Sequence, residues 1–218
     1  VEPLETEFGR KRRINQSTCN KDFSCVKGFC PSFVTIEGGT LKKPKQEKRE
    51  LTLPPVPEPV IPAAEQAWGI LVAGVGGTGV ITIGSLLGMA AHLDGHAASV
   101  LDFMGFAQKG GSVLSFVRLA DRPERLNQVR IDTQQADAIL ACDLVVGASP
   151  EALQTVRHGR SRILANEHGL PVAEAVSNPD AQLRLPMLLE KLRFAAGEDR
   201  VETFDAQTLA LDFLGDTI

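Results

Sequence analysis

From residue 68 onward, apolar and polar positions follow one another in a regular series of short elements. Gly69–Ala73 (GILVA) is a continuous apolar run followed by glycine, the pattern of a strand buried on both faces. Thr78–Leu93 (TGVITIGSLLGMAAHL) is apolar nearly all round, which predicts a well-buried helix. Ala97–Leu101, Ser112–Leu119 (SVLSFVRL) and Leu144–Ala148 (LVVGA) predict a second, third and fourth strand, followed by a short helix over Glu151–Val156. Arg162–Ala165 predicts a fifth strand, Leu183–Phe194 a helix, Val201–Phe204 a sixth strand, and Asp205–Phe213 begins a last helix. Strands alternating with helices imply βαβ units, so the expectation is an α/β fold with a parallel sheet and flanking helices.

The first third of the chain has a different pattern. Six of the 13 prolines fall between Pro44 and Pro62, in LKKPKQEKR and LTLPPVPEPVIP. Such a stretch favours extended polyproline II and predicts a semi-rigid spacer. The chain of 218 residues therefore divides into a small module over 1–40, a Pro-rich linker over 41–66 and a main domain over 67–218. Charge follows the same division. Residues 1–50 carry 11 Lys+Arg against 7 Asp+Glu, and residues 51–218 carry 12 against 20, for an overall net charge of −4.

Composition removes several function classes. Aromatic residues are only 5% and Tyr is absent, which argues against a stacking surface for single strands, and the pI near 5.6 argues against a general nucleic-acid binder. No apolar run approaches the ~20 residues of a membrane span. No basic segment followed by an apolar one suggests a signal peptide, so a cytoplasmic protein is expected.

The most contextual motif is Gly74-Val75-Gly76-Gly77-Thr78-Gly79. It follows a predicted strand and opens a predicted helix, the setting in which G-x-G-x-x-G binds phosphate. Gly74 would permit the tight turn, Gly76 a close backbone approach, and Gly79 close helix–strand packing. The helix N-terminus would offer free N–H groups to an anion. Asp102 stands 23 residues beyond Gly79, where a ribose-binding acid would stand. The plainer alternative is that these glycines serve only the turn and the packing. A second loop, Met104–Ser112, contains Lys109-Gly110-Gly111, which reads either as a second phosphate grip or as a flexible turn.

Three of the four cysteines lie within twelve residues. Cys19, Cys25 and Cys30 form C-x2-D-x2-C-x4-C-P, with Asp22 where a ferredoxin run has its second thiolate and Pro31 closing it. A carboxylate can ligate iron or leave an open corner, so Cys19, Asp22, Cys25 and Cys30 read as ligands of a 4Fe-4S or 3Fe-4S cluster. Zinc is the weaker reading because no His lies nearby; three plain reduced thiols is the remaining one. Phe33–Ile36 reads as a short strand before a turn at Glu37-Gly38-Gly39. Arg10–Arg13 reads as a solvated basic face, Cys142 as a buried small apolar side chain, and His92, His96, His158 and His168 as structural or surface groups. No Ser-His-Asp, paired-carboxylate or H-E-x-x-H arrangement is present, so no catalytic residue is nominated.

Two blocks together resemble one family. INQSTCNKDFSCVKGFCPSFVTIEGG (Ile14–Gly39) looks like a ferredoxin-like segment. GVGGTGV (Gly74–Val80), FAQKGGSVLSFVRLA (Phe106–Ala120) and ADAILACDLVVGAS (Ala136–Ser149) look like the Rossmann-like gamma domain of a bacterial, fused indolepyruvate ferredoxin oxidoreductase, within the 2-oxoacid:ferredoxin oxidoreductases. The resemblance implies thiamine-dependent oxidative decarboxylation of arylpyruvates to the acyl-CoA, with iron–sulfur clusters passing electrons to ferredoxin. It implies that thiamine diphosphate, coenzyme A and the catalytic residues belong mainly to other domains of the same enzyme, that this chain is inactive alone, and that the assembly is a homo-oligomer. Gly74, Gly76, Gly77, Gly79, Lys109, Gly110 and Gly111 would then face a phosphate or an interface. An independent NAD- or flavin-binding oxidoreductase is the alternative, carried by the glycine motif and Asp102.

Overall fold

The structure, a computed structural model, describes residues 2–13, 27, 37–40, 55, 58, 67–105, 111–170 and 183–214. The Cys19–Cys30 run, Phe33–Ile36, Lys109 and Gly110 lie outside the described residues.

Near the amino end, β1 (Glu2–Thr6) and β2 (Gly9–Arg13) pair antiparallel, with Glu5 opposite Arg10 and in contact with it. The reversal uses Gly9 at φ 84°, and the Thr6 hydroxyl donates to Gly9 O at 2.6 Å. The run Arg10–Arg13 therefore forms most of a strand, an element that its charge concealed.

A six-stranded sheet organises the rest. In chain order its strands are β3 (Trp68–Val75), β4 (Ala97–Met104), β5 (Ser112–Ala120), β6 (Ala138–Ala141), β7 (Arg162–Asn166) and β8 (Val201–Phe204). Across the sheet the order is β4-β5-β3-β6-β7-β8. The helices are α1 (Val80–Leu93), α2 (Leu144–Gly147), α3 (Pro150–Leu153), α4 (Leu185–Ala196) and α5 (Ala206–Leu214). The α/β architecture expected from the sequence is what forms.

The sheet is mixed, which corrects the expectation of a wholly parallel one. β3, β6, β7 and β8 run parallel, whereas β5 is antiparallel to both β3 and β4. The reason is chain length. A parallel crossover needs about a dozen residues or more, and only residues 105–111 join β4 to β5.

A second correction concerns Leu144–Ala148. Its β-branched run reads as a strand, yet Leu144–Gly147 forms α2. Asp143 caps this turn by accepting from Val146 N at 3.0 Å. Gly147 lets the turn lie against Ala141, because a Cβ there would sit 2.5 Å from the Ala141 Cβ. The strand in this region is the preceding AILA segment, β6, held between β3 and β7.

β3 is central and covered on both faces. Leu71, Ala73 and Val75 join Leu114, Phe116, Ile139, Ile163 and Leu192 in the larger core, on the side that α2 and α4 cover. Val72 joins Val80, Val113 and Val117 in the smaller core under α1. Burial of each such large side chain stabilises by roughly 1.5–3 kcal/mol.

The third correction is α1 itself. Only Val80, Gly84, Gly88 and Ala91 are buried, on one side. Leu86, Met89 and Leu93 are 64%, 57% and 77% exposed. The inward face is made of small residues because the helix lies close to the sheet. A Cβ on Gly84 would meet Ser115 Oγ at 2.1 Å, and one on Gly88 would meet Val100 Cγ2 at 2.7 Å.

Candidate functional site: the glycine-loop end of the sheet

At the carboxyl end of β3 the chain turns sharply into α1. Thr78 fastens the turn, its N–H and its hydroxyl both donating to Val75 O, at 3.2 and 2.7 Å. Gly77 and Gly79 hold φ of 89° and 91°, values at which an L side chain is strained. Gly74 serves packing. A Cβ there would fall 2.6 Å from Val80 Cγ2 and 3.2 Å from the Cys142 Cβ.

Gly76 joins the two glycine loops. Its N–H donates to Gly111 O at 2.7 Å, and a Cβ on Gly76 would lie 3.4 Å from that oxygen. The structure thus brings Gly74, Gly76, Gly77, Gly79 and Gly111 together at one sheet end. It also takes the Gly76 N–H out of the set open to a ligand.

Between the loops lies a cleft of about 530 Å³, lined by Gly76, Gly77, Gly79, Ile81, Thr82, Met104, Gly105, Gly111 and Ser112 among others. α1 begins at its floor. The first intrahelical bond runs from Ile83 N to Gly79 O, which leaves the Val80, Ile81 and Thr82 N–H groups without helical acceptors. No side chain caps this terminus and no acid occupies its first turn. The cleft therefore presents backbone donors and the positive end of a helix dipole, the combination that suits an anionic group.

Asp102 does not take the position of a ribose-binding acid. β5 lies between β3 and β4, and Asp102 pairs across with Ser115. Two strand spacings, about 10 Å, therefore separate β4 from the strand that carries the glycine turn. Asp102 Oδ1 and Ser115 Oγ are buried without a hydrogen-bond partner. The geometry gives no support to a dinucleotide reading.

Polar side chains stiffen the neighbouring loops at the same sheet end. Asp143 Oδ2 accepts from Leu170 N at 2.6 Å. Burial pushes the Asp143 carboxyl up from its ordinary value, outweighing the backbone N–H groups that pull it down. Asn166 donates to Cys142 O at 3.1 Å and accepts from Ala206 N at 3.2 Å. His168 Nε2 lies 2.9 Å from Asp205 Oδ1. Asp205 also accepts from the Thr208 hydroxyl and N–H at 2.6 and 2.8 Å, and the Thr208 hydroxyl foremost lowers its pKa. The Cys142 thiol, half-buried beside β6, is pushed up mainly by burial, so it is a packed thiol and not an activated nucleophile. His158 lies with Nδ1 3.3 Å from Ala195 O. Sequence reasoning missed the bracing by Asp143 and Asn166. An acid placed before a short apolar turn is the helix-start signal that marks Asp143.

Among the described residues, no three His, Cys, Asp or Glu side chains are grouped to hold a metal ion. No described helix is long and apolar enough to cross a membrane.

Comparison with known proteins places this geometry in a family. The sequence model described as pyruvate ferredoxin/flavodoxin oxidoreductase matches residues 69–217. Indolepyruvate oxidoreductase subunit IorB of Thermococcus kodakarensis is 28% identical over 152 residues, covering 66% of this chain and 68% of that one. The pyruvate/ketoisovalerate oxidoreductases common subunit gamma of Thermococcus litoralis is 30% identical over 142 residues, covering 65% and 66% respectively. The chain thus spans about two thirds of the length of these curated relatives. Among solved structures, pyruvate oxidoreductase subunit PORC of Thermotoga maritima aligns over 71% of this chain and 70% of its own, with 17% identity and a TM-score of 0.48.

Proposed function

Because the chain belongs to the pyruvate ferredoxin/flavodoxin oxidoreductase family, we propose that it supplies the gamma portion of an enzyme that oxidises 2-oxoacids, with an arylpyruvate such as indolepyruvate as substrate. In that reaction the 2-oxoacid and coenzyme A yield the acyl-CoA, carbon dioxide and a proton. Two electrons leave through iron–sulfur clusters to ferredoxin. The observation that carries the reading is the family match over 69–217, which contains both glycine loops and the cleft between them. Indolepyruvate is supported by relatives from three organisms that carry that substrate in their names, beside relatives from four that carry pyruvate and ketoisovalerate.

The proposed roles follow from the chemistry present. The cleft fits an anionic group, since α1 offers N–H donors without helical acceptors at Val80, Ile81 and Thr82, with no acid in the first turn. Gly77 and Gly79 hold the turn that aims those donors, Gly74 and Gly76 let the loops close, and Lys109-Gly110-Gly111 is proposed as the second grip. In this reading the group held is a phosphate of coenzyme A or thiamine diphosphate. Thiamine diphosphate supplies the carbanion chemistry from the thiamine-binding domains of the same enzyme. This chain binds and orients; the described lining holds the hydroxyls of Thr82 and Ser112 but no ionisable side chain to activate them.

Cys19, Asp22, Cys25 and Cys30 are proposed to hold the iron–sulfur cluster, in a segment over 1–40 joined by the 41–66 linker to the gamma domain over 67–218. Three thiolates and a carboxylate form a donor set suited to iron. The exposed apolar side of α1, at Ile81, Leu86, Met89 and Leu93, supports a seat against another domain of the assembly. A homo-oligomer in the cytoplasm completes the proposal.

The test is anaerobic expression with the thiamine-binding domains, followed by iron and acid-labile sulfide analysis and indolepyruvate-dependent dye reduction. We expect about three to four irons per chain, lost in Cys25→Ser, and turnover that requires both coenzyme A and this chain. An iron-free chain, or an assembly that reduces dye equally well without it, would refute the proposal.

A further inference from the structure

The opposite end of the sheet holds a second cleft of about 590 Å³, lined mainly by polar groups. It lies where the parallel strands begin. Ala67 precedes β3, Asp137 precedes β6, and Arg157 and Arg160 precede β7. The length of β3 places it about 20 Å from the glycine turn. Ligands of open α/β sheets ordinarily bind at the carboxyl ends of the strands, so this cleft belongs to neither the fold's usual site nor the reading above.

Four guanidiniums line it, those of Arg118, Arg125, Arg157 and Arg160. Two are matched by carboxylates. Arg160 makes two bonds to Asp137 Oδ1, from Nε at 2.9 Å and Nη2 at 2.6 Å. Arg125 Nε lies 3.3 Å from Asp121. Arg118 is different. It is 7% exposed, faces Arg130 O at 3.5 Å and the Gln128 amide oxygen at 2.7 Å, and its Nε has no partner. No carboxylate among the described residues lies within ion-pair reach of it. A buried guanidinium without a counter-charge is costly, and an anion in the cleft would offset that cost.

Charge and shape narrow the ligand. The lining carboxylates are Glu124 and Asp137, and Asp121 pairs with Arg125 from beside the cleft, so four cations against three anions leave +1. A phosphate group carries about −1.5 to −2 at neutral pH, and the planar guanidinium fork matches its oxygens in pairs. The volume falls within the roughly 300–1,000 Å³ of small-molecule sites. The amides of Asn127, Gln134 and Gln135 add uncharged donors and acceptors for the rest of such a molecule. Gln134 is the one described non-glycine residue with positive φ, at 58°, an outlier of the kind that collects at ligand sites. We propose that this cleft is a separate binding site for a small phosphate-bearing ligand, held by Arg118 and Arg157, which have no ion-pair partner among the described residues.

The experiment titrates the full chain with pyrophosphate, inorganic phosphate and citrate in turn, by calorimetry and by amide and Arg Nε–H NMR at constant ionic strength. Saturable binding of pyrophosphate or phosphate is expected, with resonances of Arg118, Asn127, Gln134 and Gln135 moving. Arg157→Gln should weaken it about tenfold or more, with an unchanged melting temperature because Arg157 is exposed. Shifts confined to Gly77–Thr82, binding of citrate in preference to both phosphates, or an affinity unaltered by Arg157→Gln would each overturn the proposal.

Discussion

The two ends of the sheet achieve attraction for an anion by opposite means. At the glycine-loop end the donors are backbone N–H groups of α1, and the described lining of the cleft bears no charged side chain. At the other end the donors are arginine side chains drawn from positions 118 to 160, around a cleft whose carboxylates leave positive charge over. Backbone donors cost little to arrange once glycines allow the turn. Buried guanidiniums must be held by partners, and Arg118 is incompletely held. The first end should therefore fail when its geometry changes, and the second when its charge does.

The largest effect is expected at the arginine end. Asp137 is buried, accepts from Gly69 N at 2.9 Å and receives both Arg160 bonds. Asp137→Ala should lower unfolding free energy by about 2–3 kcal/mol, less than a fully buried pair would lose because Arg160 is half exposed. Chemical denaturation measures this. A loss under 1 kcal/mol would mean that the bracket around the cleft is not structural.

Next comes Gly79→Ala at the other end. The left-handed φ of 91° makes an L residue there cost about 1–2 kcal/mol. The same measurement on Gly105→Ala is the control, because a Cβ at Gly105 meets nothing within 4 Å and its φ is not positive. Equal losses in both would remove the special role of the turn.

Smaller effects divide the glycine-loop end internally by pH. Burial raises the Asp143 carboxyl, so the folded chain keeps a proton that the unfolded chain releases. Its contribution is present below the ordinary carboxylate value and fades as pH rises through the raised one. Asp205 is lowered, so its contribution is present above the ordinary value and fades as pH falls through the lowered one. Asp205→Asn should accordingly flatten the decline of melting temperature below about pH 4. A decline as steep as the parent's would contradict the assignment.

The smallest concerns Cys142. With its thiol pushed up by burial, site-resolved alkylation at pH 8 should be slower than for a small free thiol. Labelling as fast as the free thiol would show that the packing is looser than described.

How much of this was legible follows from the physics of each element. β3, α1, β7, α4 and β8 announced themselves through periodicity, and the glycine turn through its place between strand and helix. β6 was not nominated because AILA lacks β-branching apart from Ile139, and α2 was read as a strand because Val145 and Val146 supply that branching to a turn that Asp143 caps. The antiparallel placement of β5 depends on a connection length, which periodicity does not weigh. α1 looked buried because its apolar residues surround it, yet only its small-residue side meets the sheet. The glycine loops were found because their residues are contiguous; their joining through Gly76 and Gly111 is a tertiary fact. The arginine cleft left no local pattern, since its residues come together only when β3, β5, β6 and β7 align their ends.

The central claim is that the glycine-loop end of this chain serves turnover of a 2-oxoacid by presenting backbone donors to an anionic group. Steady-state kinetics of the assembled enzyme, carrying either the parent chain or Gly79→Ala, with indolepyruvate and coenzyme A varied separately, test it most directly. Loss of one or two such hydrogen bonds predicts a fall in kcat/KM of about tenfold or more, with the assembly still formed at the assay temperature and its melting lowered only by the strain expected at Gly79. A Gly79→Ala enzyme that matches the parent with both substrates would contradict the account.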